Sequence, residues 1–66
     1  MFYIYARTKD GYDKHYWNRR KNEWQSDLTS ACLYPTGKGA NHVYQGIMKG
    51  GLIWRTFNEL GWSKAQ

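Results

Sequence analysis

Cysteine is almost missing from this sequence: Cys32 stands alone among 66 residues. No intrachain disulfide can form, which argues against a secreted mini-protein held together by cross-links. A metal staple is equally short of ligands, because Cys32, His15 and His42 lack the close spacing of a structural zinc site. No cofactor is implied. No apolar run has the length needed to span a membrane. The opening residues, Met1-Phe2-Tyr3-Ile4-Tyr5-Ala6, read directly into a strand pattern and lack the basic start and apolar stretch of a signal peptide. A cytoplasmic protein is the expectation. There is one proline, Pro35, and there are no repeats or low-complexity tracts.

What is present is aromatic and basic. Six Tyr, four Trp and two Phe make up 18% of the chain. A domain this short buries a small fraction of its surface, so large rings must supply the core that a disulfide or metal would otherwise replace. The net charge is +5 and is unevenly placed. Residues 1–22 hold six bases against two acids, and residues 23–66 hold four against three. A basic N-terminal surface suits a polyanion or an acidic protein face, and it also simply keeps a small protein in solution.

Along the chain, Phe2, Ile4 and Ala6 alternate with Tyr3, Tyr5 and Arg7 in the manner of a strand. Thr8-Lys9-Asp10-Gly11 is a turn signal. A second strand over 14–20 completes a hairpin at about 2–20. Arg20-Lys21-Asn22 is a polar turn, after which Trp24 anchors the chain on the core. Asp27 is placed to cap one turn through Ala31. Cys32-Leu33-Tyr34, stopped by Pro35, is expected to form a short third strand. The clearest helix runs over about 37–49. Thr36 is its N-cap, and Ala40, Val43, Tyr44, Ile47 and Met48 form one stripe. Lys49 suits the last turn, and Gly50-Gly51 ends it.

The segment at about 52–60 reads as a strand or a short helix. Leu52 to Phe57 is rich in strand formers, while Ile53, Phe57 and Leu60 also make a helical stripe. Trp62 is expected to anchor a tail that frays from Ser63. The fold class implied is a single small α+β domain: a three- to four-stranded antiparallel sheet with one helix on one face, in the order ββ-β-α-β. The helix must cover Phe2, Ile4 and Ala6. Trp17 is the natural inward residue of the second strand, with His15 and Arg19 on the same side.

The other side of the hairpin carries the candidate site. Tyr3, Tyr5 and Arg7 lie beside Tyr16, Asn18 and Arg20, with Lys14 at the hairpin end and Lys21 just past the strand; Arg19, from the inward side near the strand's end, is also a candidate for binding. Rings interleaved with cations suit stacking on unpaired bases and neutralising phosphate. The same residue types mark protein interfaces. Tyrosine also prefers strands in its own right, and cross-strand pairs stabilise a sheet without any ligand. A register slip of one residue would exchange the two faces.

Other constellations fall short. Tyr34-Pro35-Thr36-Gly37-Lys38-Gly39-Ala40 lacks the spacing and the Ser/Thr of a phosphate-binding loop. His15 and His42 have no evident catalytic partner. Cys32 reads as a small buried hydrophobe rather than a nucleophile. Asp10 and Asp13 share a turn but make no nuclease site. The chain is therefore expected not to be an enzyme.

The run Tyr16-Trp17-Asn18, then Trp24, Asp27-Leu28, Ala31 and Tyr34, resembles short accessory proteins of bacteriophages and mobile elements, over residues 2–48. The resemblance implies a bacterial host cell and a stoichiometric inhibitor of host machinery, anti-CRISPR proteins being one such type. A basic chain of that kind would cover an acidic host protein or contact a nucleoprotein complex rather than mimic DNA. A weaker similarity is to the three-stranded DNA-binding domains at the start of some phage integrases, which implies an arm-like nucleic-acid contact. An edge strand on so small a sheet also offers pairing with a second copy, as a homodimer.

Overall fold

In a computed structural model, residues 1–10, 13–50 and 57–65 are described. They form β1 (Phe2–Thr8), β2 (Lys14–Asn18), β3 (Glu23–Gln25), a single 3-10 turn (Ser30–Cys32), α1 (Gly37–Gly50) and β4 (Phe57–Lys64). The four strands make one antiparallel sheet in the order β3-β2-β1-β4, and α1 packs against β1 and β4. The fold is a small α+β domain, as the sequence predicts. No helix among the described residues is long and apolar enough to cross a membrane.

Register assigns the faces. Tyr5 pairs with Tyr16, Ala6 with His15 and Arg7 with Lys14. Residues paired directly across a ladder point to the same side. Tyr3, Tyr5, Arg7, Lys14 and Tyr16 therefore share one face, and Phe2, Ile4, Ala6, His15 and Trp17 share the other. The second face takes the helix. Ile4, Ala6 and Ala40 are fully buried, and Phe2, Trp17, Trp24, Val43, Tyr44 and Ile47 pack around them. A fully buried Ile contributes roughly 1.5–3 kcal/mol through the hydrophobic effect. The helical stripe faces inward, while Lys38, His42, Gln45 and Lys49 are exposed. The Gly39 amide donates to Thr36 Oγ1 at 3.1 Å, so Thr36 caps the helix. Gly37 lets the helix start lie against the sheet: a Cβ there would stand 3.0 Å from the Trp62 ring.

A second aromatic group closes the inner face beyond the helix. Trp17 packs on Trp24 with ring centroids 5.2 Å apart, Trp24 on Phe57 at 5.4 Å, and Phe57 on His15 at 5.4 Å. Phe57 reaches this group because the β1–β4 ladder shifts register between Arg7 and Thr8, which sets Phe57 opposite Thr8. Such a bulge re-aims one side chain without breaking the sheet.

Several expectations need correction. The third strand is Glu23–Gln25, not residues 32–34. Asn22 adopts φ 53°, the left-handed conformation that Asn tolerates better than most residues, and this turns the chain back onto β2. Trp24 then pairs with Trp17. Tyr34 makes only one isolated bridge, to Phe2. The next residue, Pro35, has no amide hydrogen, and Cys32 ends the 3-10 turn. Asp27 does not cap that turn; Thr29 holds the position, without a side-chain bond.

β2 stops at Asn18, so Arg19 and Arg20 belong to the turn that follows. The last strand runs beyond its expected end at about residue 60. The tail does not fray at Ser63, because β4 runs to Lys64 and the Ala65 amide donates to Met1 O at 2.7 Å. Phe57 and Leu60 are in a strand, which removes the short-helix alternative for them. The expected strand over 52–56, Ile53 of the helical alternative, Gly51 of the C-cap pair and Gly11 of the hairpin turn lie outside the described residues.

Candidate functional site

The face opposite the helix is built by β1 and β2, with β4 beside β1. Tyr3 and Tyr16 meet edge to face, centroids 5.4 Å apart, and Tyr3 and Tyr5 lie tilted at 6.1 Å. Lys14 sits among them. Its Nζ is 4.5 Å from the Tyr5 centroid, 5.0 Å from Tyr3 and 5.8 Å from Tyr16. It also donates to Tyr3 Oη at 3.1 Å. All four side chains are half-buried. A cation over one ring contributes about 0.5–1 kcal/mol when exposed and about 2 kcal/mol when desolvated. Three rings thus converge on one ammonium.

Gly61 explains how Tyr5 fits. It pairs with Tyr5 across the ladder, and a Cβ at Gly61 would meet Tyr5 Oη at 2.8 Å and Cζ at 2.9 Å. The Tyr5 ring therefore occupies the space a side chain at 61 would fill. One step along, Arg7 faces Glu59 and its Nε donates to Oε1 at 3.0 Å. Both partners are substantially exposed, so the pair adds at most about 1 kcal/mol. Its larger effect is to neutralise Arg7 on this face.

The basic turn is a separate feature. Asn18, only 4% exposed, accepts from the Arg20 amide at 2.9 Å and the Lys21 amide at 3.0 Å through Oδ1. Its Nδ2 donates to Gln25 Oε1 at 2.7 Å. Gln25 Nε2 in turn donates to Asp27 O, Thr29 Oγ1 and Cys32 Sγ. This relay covers the β3 side of the outer face and fixes the turn. Arg20 and Lys21 project from it exposed, and among the described residues no side chain pairs with either. Arg19 behaves differently. It donates to Leu33 O at 2.9 Å, and its guanidinium lies 5.0 Å from the Tyr34 centroid. It fastens the 30–34 segment to the sheet.

The eight expected site residues thus divide. Tyr3, Tyr5, Arg7, Lys14 and Tyr16 come together on the sheet face. Arg20 and Lys21 stand at a rigid turn beyond it. Arg19 is structural, and Asn18, expected on the open face, is buried and bonded to Gln25 and to the amides of the turn. Glu59, Gly61 and Gln25 complete the site and come from strands whose register no local pattern reveals. Asn18 did carry a signal, since Asn readily accepts backbone amides two and three residues on.

On the inner side, Tyr34 is 5% exposed and its Oη has no partner among the described residues. Burial raises its pKa above the ordinary tyrosine value, against the opposing pull of Arg19. Cys32 is fully buried. Among the described residues no group of three or more His, Cys, Asp or Glu could hold a metal ion. Comparison of the chain with protein families, with curated proteins and with solved structures returned no match.

Proposed function

We propose that this chain is a non-enzymatic binding protein, an inhibitor or adaptor of the phage type. In this reading it acts in the bacterial cytoplasm on a host protein or nucleoprotein complex, such as a CRISPR-type defence complex. One observation carries the proposal: the helix packs on one side of the sheet, against β1 and β4, and among the described residues no helix lies over the tyrosine-rich side. Tyr and Arg on an uncovered face are the residue types that dominate protein interfaces.

Geometry favours a protein partner over direct nucleic-acid stacking. Base stacking needs a free ring face. Here Lys14 approaches three rings and Arg7 is tied to Glu59, so among the described residues this face offers neither a bare platform nor a spare cation. Two cations with no side-chain partner among the described residues stand at the turn, where Arg20 and Lys21 would meet acidic side chains at the rim of the contact.

The test is affinity capture from a bacterial lysate with the wild-type chain and with an Arg20→Glu, Lys21→Glu double variant. The wild type should retain one stoichiometric partner, and the variant should lose it while keeping its far-UV and near-UV spectra. Equal retention by both would remove the turn from the interface. Binding of naked DNA or RNA at low salt, lost steeply as salt rises, would favour a direct nucleic-acid module instead.

A further inference from the structure

We propose that Tyr3, Tyr5 and Tyr16 form a receptor for an alkylated ammonium group, and that Lys14 is its built-in occupant. The inference goes beyond the proposed function, because the rings set the ligand chemistry whatever carries the ligand. Three features lead to it.

The first is geometry. Three rings from two adjacent strands converge on one point, and an ammonium nitrogen already lies 4.5–5.8 Å from all three centroids. That spacing is the range in which a ring quadrupole holds a cation. The second is construction. The Tyr5 ring lies where a side chain at 61 would be, so Gly61 is part of the site. The third is the placement of acids. Of those whose register puts them on this face, Glu59 is tied to Arg7, and Glu23 stands across from Asn18 on the outermost strand.

The rings, rather than a carboxylate, therefore select the occupant. A primary ammonium such as Lys14 keeps hydrogen-bond donors that want water or an acceptor, and it uses one of them on Tyr3 Oη. A methylated lysine side chain or a free quaternary ammonium compound sheds those donors and is recognised by rings alone. Such a group can enter as Lys14 swings out to solvent along its flexible stem. The net charge inside the cage is unchanged by the exchange.

Tetramethylammonium chloride and a short peptide carrying one trimethyl-lysine are the probes. Titration into the wild type is followed by NMR, watching the ring protons of the three tyrosines and the ε-methylene protons of Lys14. Saturable shifts at all three rings are expected, together with loss of the upfield ring-current shift at Lys14 as it leaves. Lys14→Ala, checked for folding by its near-UV spectrum, should bind about ten-fold tighter because the internal competitor is gone. Preference for the peptide would identify a protein-borne group, and equal binding of both a free compound. If neither probe moves the rings or Lys14 in the wild type, and a folded Lys14→Ala also fails to saturate, the proposal is overturned.

Discussion

Tyr34 carries its hydroxyl into the core without a partner among the described residues. An unmet buried hydroxyl typically costs about 1–3 kcal/mol. Its ring is still needed, since it packs with Ile4 and Ala40 and lies under Arg19. Tyr34→Phe keeps the ring and removes the cost. The variant is expected to match or exceed wild-type stability by up to about 1 kcal/mol at neutral pH in urea unfolding. The pH dependence follows from the raised pKa. A group titrating higher in the folded state gives full stability below its unfolded pKa, and that stability is lost as pH rises through the folded value. Wild-type stability should therefore decline above about pH 10, and Tyr34→Phe should flatten that decline. A variant that unfolds in alkali as the wild type does would place the titrating group elsewhere.

The β2–β3 turn carries the weakest local signals of the chain. Arg20-Lys21-Asn22 is legible as a turn, and Trp24 as an anchor, but the short strand between them was not. Three residues give too little alternation to read, and the strand exists because Trp24 lands opposite Trp17. At Cys32-Leu33-Tyr34 strand propensity is overruled: Cys32 ends a 3-10 turn, Pro35 brings no amide hydrogen, and Tyr34 makes only an isolated bridge to Phe2. The long, strongly periodic elements, β1 and α1, were plain in the sequence. So was the tyrosine face, because both strands of one hairpin carry it. Glu59 and Gly61 were not, as their pairing with Arg7 and Tyr5 depends on register between distant segments. Asn18 holds the turn through two backbone amides and through Gln25. Asn18→Ala should destabilise the domain by about 1–3 kcal/mol. Amide exchange at Arg20 and Lys21 should rise further than at β1, and uniform acceleration across the sheet would argue against a local turn lock.

Over the whole molecule, the radius of gyration is 10.9 Å, and a compact chain of 66 residues has about 10.8 Å. The tyrosine face is thus not a sign of loose packing; one helix on β1 and β4, with the Trp17, Trp24, Phe57 and His15 rings beyond it, lines the inner side of the four-stranded sheet. The charge is divided in the same way. Arg7, Lys14 and Arg19 are engaged internally, whereas Arg20 and Lys21 carry free charge at one end. Cations at a rim steer encounter more than they hold a complex. With the captured partner immobilised, the association rate should fall as salt is raised through physiological strength, where the screening length is about 8 Å. The dissociation rate should change little. A salt effect confined to dissociation would mean that the charges are buried in the complex.

Tyr5 and Gly61 share one volume, since the ring of the first lies where the β-carbon of the second would stand. They behave as a single two-position character. A side chain can arise at 61 only after the ring at 5 has shrunk or turned away, and the loss of that ring opens the cage around Lys14. Drift at a glycine with no charge and no chemistry of its own therefore acts on the ring-bound cation of the face. Mutational paths through this protein must cross the two positions in order, ring first and backbone second.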